Sequence, residues 1–211
     1  MSHARSPMDT FGLVGRRREL AEVRRVLAAS RLVTLTGVAG VGKSRLALAA
    51  MSGLGGSFPD GLCRVDLTSV RDPALLGHVV AAALGVRERT ARPQTDVLVD
   101  RLAHRRLLLV LDTCEHLVEA CADLTGVLLR ALPELRILTA SRQLLGVAGE
   151  HTVVVPPLPA PGPECAGAAV AAYDSVALFV RRAMEVDRTF ALTEGNGGVV
   201  AGLCRRLDGI P

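Results

Sequence analysis

Aromatic residues are almost missing from this chain: no tryptophan, one tyrosine and four phenylalanines in 211 residues. A core without large rings must be aliphatic, and a surface without them has little with which to stack nucleobases. Lysine is rarer still, because Lys43 is the only one and every other strong base is arginine. Cysteine is sparse and odd in number, at positions 63, 114, 121, 165 and 204, with no CxxC spacing. That pattern argues against a zinc site and against a disulfide framework, and it fits a reducing, cytoplasmic setting. No apolar run approaches the length of about 18 residues that a spanning helix needs. The opening Met1-Ser2-His3-Ala4-Arg5-Ser6-Pro7 has no apolar stretch and does not read as a secretory signal.

What is present is a chain for a globular core. It is 49% hydrophobic and 22% charged, which excludes disorder over most of its length. The length predicts one domain with part of a second. The net charge of +4 and pI of about 9.1 are mildly basic. The basic residues are dispersed, however, and the densest group, Arg16-Arg17-Arg18 with Arg24-Arg25, is interrupted by Glu19 and Glu22. A solvated helix face accounts for it, so no direct nucleic-acid binding by this chain is expected.

Apolar spacing predicts a helix over 18–29, with Leu20, Val23, Val26 and Leu27 on one face. Strands are predicted at 32–36, 62–67, 107–111, 135–139 and 152–155, and helices at 43–51, 73–84, 94–105 and 117–131. Strands alternating with helices argue for an α/β fold whose parallel sheet carries helices on both faces. Leu107–Leu111 is apolar throughout, as suits a strand buried on both faces. The proline-rich stretch Pro156–Pro163 can neither join a ladder nor continue a helix and marks a boundary. Beyond it, helices are predicted at 174–186, with Asp174 as cap, and near 198–207. The expected organisation is therefore an α/β domain over 1–156, a linker over 157–163 and a partial helical domain over 164–211.

One segment carries recognisable chemistry. Gly37-Val38-Ala39-Gly40-Val41-Gly42-Lys43-Ser44 fits GxxxxGK[ST], between an apolar strand and a helix. The glycines let the backbone curl so that successive N–H groups point at phosphate oxygens, and the helix N-terminus adds positive potential. Lys43 is then placed to reach the terminal phosphates, and the Ser44 hydroxyl to ligate Mg²⁺. Arg45 follows directly and is included in the candidate binding set. A second element is expected at Leu107-Leu108-Leu109-Val110-Leu111-Asp112, an apolar strand ending in a carboxylate that can hold the same metal; capping of the next helix is the alternative role for Asp112. Thr113 follows it, and Glu115 is the nearest carboxylate. Arg142, just past the fourth strand, can read a terminal phosphate or stand solvated.

Taken together, these residues resemble the STAND class of signalling ATPases, in the NB-ARC-like branch found in bacterial transcriptional regulators of the LuxR and antibiotic-regulatory types. Phe11-Gly12-Leu13-Val14-Gly15-Arg16-Arg17-Arg18-Glu19-Leu20 is similar to the family's hhGRxxEL segment, 37–44 to Walker A, 109–116 to Walker B, Thr139-Ala140-Ser141-Arg142 to the sensor-1 segment and Gly209-Ile210-Pro211 to the GxP motif of the small helical domain. The resemblance implies a P-loop NTPase with a five-stranded parallel sheet in the order 5-1-4-3-2, followed by the start of that helical domain. It implies that Val14, Gly15 and Arg16 border adenine and ribose, that Arg142 senses the γ-phosphate and that Pro211 packs on adenine.

The family implies a switch that binds ADP or ATP with Mg²⁺, assembles in the ATP state if the full-length protein exists, and hydrolyses slowly at most. Lys43, Asp112 and Arg142 would carry whatever hydrolysis occurs. Relatives commonly have Asn or Asp where Thr113 stands, which argues against brisk turnover. They also continue past the GxP motif, so a fragment or a truncated product is expected. The alternative reading is a working ATPase of the AAA+ kind, which would want an acidic residue at 113. A chain that binds nucleic acid in its own right would need a concentrated basic patch.

Overall fold

The structure, a computed structural model, describes residues 13–86, 92–165 and 167–211. Phe11 and Gly12, and the opening segment 1–7, lie outside the described residues. The described elements run α1 (Arg17–Ala29), β1 (Leu32–Thr36), α2 (Lys43–Met51), β2 (Leu62–Asp66), α3 (Leu76–Ala83), α4 (Gln94–Leu102), β3 (Leu108–Asp112), α5 (Val118–Ala131), β4 (Arg136–Ala140), β5 (Glu150–Val154), α6 (Asp174–Val186) and α7 (Glu194–Arg206). Each predicted strand is present within two residues of its expected ends. The last helix begins four residues earlier than its apolar spacing suggests. Its start contains Gly195, Gly197 and Gly198, poor helix formers, but Thr193 and Asn196 form a reciprocal capping box that starts the helix there.

The five strands form one parallel sheet in the order β2-β3-β4-β1-β5, which is the predicted order read from the other edge. Contacts divide the chain into two compact units. The sheet unit takes in residues 18–37 and 43–154. The helical unit takes in the described residues up to Arg17, the loop Val38–Gly42 and residues 155–211.

Within the sheet unit, β3 is buried at all five positions, as its unbroken apolar run requires. Successive strand side chains point to opposite faces. Leu32, Val65, Leu67, Leu109, Leu111 and Ile137 join α3, α4 and α5 in one aliphatic cluster that includes Val80, Leu98, Leu102, Leu124 and Leu128. Helix α2 packs on β1 and β4. Two arginines finish helices by donating to terminal carbonyls: Arg31 to Leu129 and Leu132, and Arg136 to Leu27 and Ser30. The register sets Asp66 beside Asp112 and Asp112 beside Ala140, so the carboxyl ends of β2, β3 and β4 form one row. Ligands bind at that edge in open parallel sheets.

The helical unit has a smaller core of Val170, Val176, Val200, Ala201 and Cys204. Phe179 and Phe190 pack edge to face beside it with ring centroids 6.0 Å apart. Among the described residues, no helix is long and apolar enough to cross a membrane.

Candidate functional site

Residues 37–42 connect β1 to α2, and Lys43 and Ser44 are the first two residues of that helix. Gly40 and Gly42 have φ of +77° and +98°, backbone that residues with a Cβ rarely adopt, so glycine is required for the curl. The Val41 amide donates to the Val38 carbonyl at 3.4 Å and closes the tip of the loop. Lys43 opens α2, where unpaired amides and the helix dipole favour an anion. Its ammonium donates to the Gly37 carbonyl at 2.9 Å, across the base of the loop. Burial pushes this ammonium down from the ordinary lysine range and Arg142 adds to that, while the carboxylates of Glu115 and Asp112 oppose it. A desolvated cation at a helix N-terminus is suited to a polyphosphate.

Asp112, at the end of β3, is fully buried. Its two oxygens have different partners. Oδ1 accepts the Ser44 hydroxyl at 2.6 Å. Oδ2 accepts from Arg64 twice, from Nε at 3.1 Å and from Nη2 at 2.6 Å. A hydroxyl and a carboxylate oxygen that converge this closely are hard donors of the kind Mg²⁺ takes, so the pair fits that metal. Helix α5 begins after Leu117 without a side-chain cap, which sets aside the role of Asp112 as a helix cap.

Arg64 was not among the expected site residues. On β2 it bridges Asp112 and Asp66, the latter at 3.2 Å. The hydrogen bond to Asp112 raises its pKa further. Asp66 is held below the usual carboxylate range chiefly by the Thr68 hydroxyl and amide, with Arg64 contributing. An available signal was the expected neighbour relation of β2 and β3: Arg64 stands in register with Val110, two residues from Asp112, so a long side chain reaches the diagonal position.

Thr113 has φ of +64°, a left-handed backbone unusual for a β-branched residue and easier for Asn or Asp. The turn lets the Cys114 amide donate to the Ala140 carbonyl at 3.1 Å. Arg142 follows β4 and is 59% exposed, with its Nε 3.4 Å from Glu115 Oε1. It is therefore ion-paired rather than simply solvated. Arg45 is exposed.

The remaining candidates lie in the helical unit with the loop tip. Arg16 is buried and donates to the Val41 carbonyl at 3.1 Å. Val14 is half-buried; Gly15 has φ of +69°, and a Cβ there would meet Asp174 Cγ at 2.3 Å. Gly209 has φ of +67°. Its carbonyl accepts from the Leu158 amide at 2.9 Å, and a Cβ on Gly209 would stand 2.0 Å from the Leu158 oxygen. Ile210 Cγ2 lies 3.1 Å from where a Gly40 Cβ would be. Val38, Ala39 and Gly40 are exposed, as is Pro211. Thus Arg16 meets Val41 and Ile210 meets Gly40, while the sheet unit separately brings Lys43, Ser44, Asp112 and the unexpected Arg64 to its carboxyl edge.

No family model matches the chain. It is 42% identical over 198 residues to a Mycobacterium tuberculosis protein named only as uncharacterized, covering 94% of this chain and 48% of that protein. It is 41% identical over 189 residues to a second Mycobacterium tuberculosis protein, named as a candidate HTH-type transcriptional regulator, covering 90% of this chain and 20% of that one. The chain thus spans about half or less of the length of these relatives. Among solved structures it is similar to a STAND protein with a tetratricopeptide repeat sensor from Pyrococcus horikoshii, with TM-score 0.52, 19% identity, and coverage of 94% of this chain and 28% of that one. It is also similar to the ORC2 protein of Aeropyrum pernix in ADPNP–ADP complexes, with TM-score 0.55, 12% identity, and coverage of 93% and 64%. The fold is the α/β fold of the P-loop NTPases, with the five-stranded parallel sheet described above.

Proposed function

We propose that this chain is an adenine-nucleotide switch module: it binds ADP and ATP with Mg²⁺ and hydrolyses slowly at most. The observation that carries this reading is the 2.6 Å meeting of Ser44 Oγ and Asp112 Oδ1, with Lys43 at the base of the glycine loop. Loop amides 38–44 with Lys43 bind the phosphates, Ser44 and Asp112 hold the metal, and Arg142 exchanges Glu115 for the γ-phosphate. Arg45, next in the chain, is counted with the phosphate-binding residues. Mg²⁺, when bound, supplies charge neutralisation between the terminal phosphates. Val14, Gly15, Arg16 and Pro211 border the base and sugar. Adenine is favoured by the ORC2 neighbour, whose complexes contain ADP and an ATP analogue.

In this reading, residues 1–156 are the nucleotide-binding domain, 157–163 a linker and 164–211 the start of a helical domain. The whole is the switch of a STAND-type, NB-ARC-like transcriptional regulator of the LuxR kind in the cytoplasm, assembling when ATP is bound, with nucleic acid contacted by other parts of the protein. The relative named as an HTH-type regulator supports that context.

A brisk ATPase of the AAA+ kind is the competing reading, and turnover separates the two: rates above about 1 s⁻¹ favour it. The test of the site is calorimetric titration with ADP. Lys43→Ala is expected to weaken binding about a hundredfold, from loss of a charge-assisted contact in a desolvated loop, with the melting temperature of the free protein unchanged. Equal affinity in wild type and variant rejects the site.

A further inference from the structure

Buried Asp112 is already neutralised before any metal arrives. Its Oδ2 accepts two hydrogen bonds from Arg64, whose side chain is 31% exposed against 1% for Asp112. Oδ1 remains on Ser44. The carboxylate therefore has one oxygen for a guanidinium and one for a hydroxyl and metal. A carboxylate this deeply buried needs a positive partner to stay charged. Arg64 meets that need permanently, and Asp66, at 3.2 Å from the guanidinium, keeps the arginine in place from the solvent side. Two opposed consequences follow for a divalent cation at Oδ1. Hydrogen bonding orients the carboxylate, which helps the metal. A fixed positive charge on the neighbouring oxygen repels it and withdraws the negative charge it seeks. The repulsion acts on a doubly charged ion in a partly desolvated site, whereas the orientation is already secured by Ser44, so repulsion prevails.

We propose that Arg64 is a resident counter-cation that loosens the hold of Ser44 and Asp112 on Mg²⁺, so that this chain retains ADP nearly as well without the metal as with it. The proposal rests on the nucleotide-binding reading above and concerns the same site.

The experiment is titration of the full chain with ADP, in EDTA and in millimolar Mg²⁺, for wild type, Arg64→Gln and Arg64→Lys. In wild type, Mg²⁺ should change affinity by less than about threefold. Arg64→Gln keeps a donor and removes the charge; it should raise the Mg²⁺ increment, taken within that variant between EDTA and millimolar Mg²⁺, to about tenfold or more. Arg64→Lys, which keeps the charge, should behave as wild type. Electron paramagnetic resonance of Mn²⁺ with ADP should show protein-bound metal in Arg64→Gln at concentrations where wild type leaves the ion free. Arg64→Met, which also removes the charge, serves if the glutamine variant does not fold. Equal increments in wild type and the charge-free variants overturn the proposal. So does a smaller increment in those variants, since Arg64 would then be supporting the metal. ADP binding that depends on Lys43 alongside either result leaves the nucleotide reading standing. Absence of ADP binding in every form brings down both.

Discussion

Strand β3 of the sheet unit is buried at every position from Leu108 to Asp112, whereas α7 of the helical unit buries Gly197, Val200, Ala201 and Cys204 and leaves Val199 and Leu203 exposed, with Leu207 exposed just beyond. The sheet unit closes its aliphatic core on both faces of a parallel sheet and can hold side chains rigidly along its carboxyl edge. The helical unit has a core of a few small side chains and relies on close backbone approaches, such as Gly209 against Leu158. Chemistry that needs fixed geometry, the Ser44–Asp112–Arg64 group, stands on the first. Contacts with the loop tip come from the second, through Arg16 and Ile210.

That contrast can be broken at four places. The largest expected effect is in the sheet core: Leu109→Ala, at a fully buried position, should destabilise by about 3 kcal/mol in urea unfolding, and a loss below about 1 kcal/mol would mean that the sheet is not the rigid part. Next is Gly209→Ala, which adds a Cβ to left-handed backbone against a carbonyl and should destabilise by about 2 kcal/mol, read by the loss of hydrogen-exchange protection at the Leu158 amide. Retained protection would show that backbone approach does not hold the helical unit together. Thr113→Asn should act in the opposite direction and raise the thermal midpoint, stabilising by about 1 kcal/mol because asparagine tolerates the left-handed backbone. A fall in midpoint would place the Thr113 side chain in a stabilising contact. The smallest effect is expected at Leu203→Ser on the exposed α7 face, within about 0.5 kcal/mol by the same urea assay. A larger loss would count Leu203 into the core.

Much of this molecule was legible in the residues. Helical spacing at Leu20, Val23, Val26 and Leu27, the unbroken Leu107–Leu111 run and the glycine loop are local signals, and each element formed where its signal lay. The start of α7 was not legible from apolar spacing, because three glycines mask it and a capping box between Thr193 and Asn196 outweighs them. Arg142 was legible as a residue at the sheet's ligand edge, but its pairing with Glu115 joins segments that lie far apart in the chain before β3 and β4 are set side by side. Arg64 was missed because an arginine in a half-buried strand looks like an outward polar position until the neighbouring strand is in register.

By itself the sequence determined the alternation of strands and helices, the phosphate-type loop and the carboxylate that ends β3, since periodicity, glycine backbone freedom and a strand's terminal residue are properties of short windows. Only the tertiary structure decided that Asp112 divides its oxygens between Ser44 and Arg64. That division depends on β2, β3 and α2 meeting at one edge, and distances between segments so far apart in the chain are set by packing rather than by any local pattern.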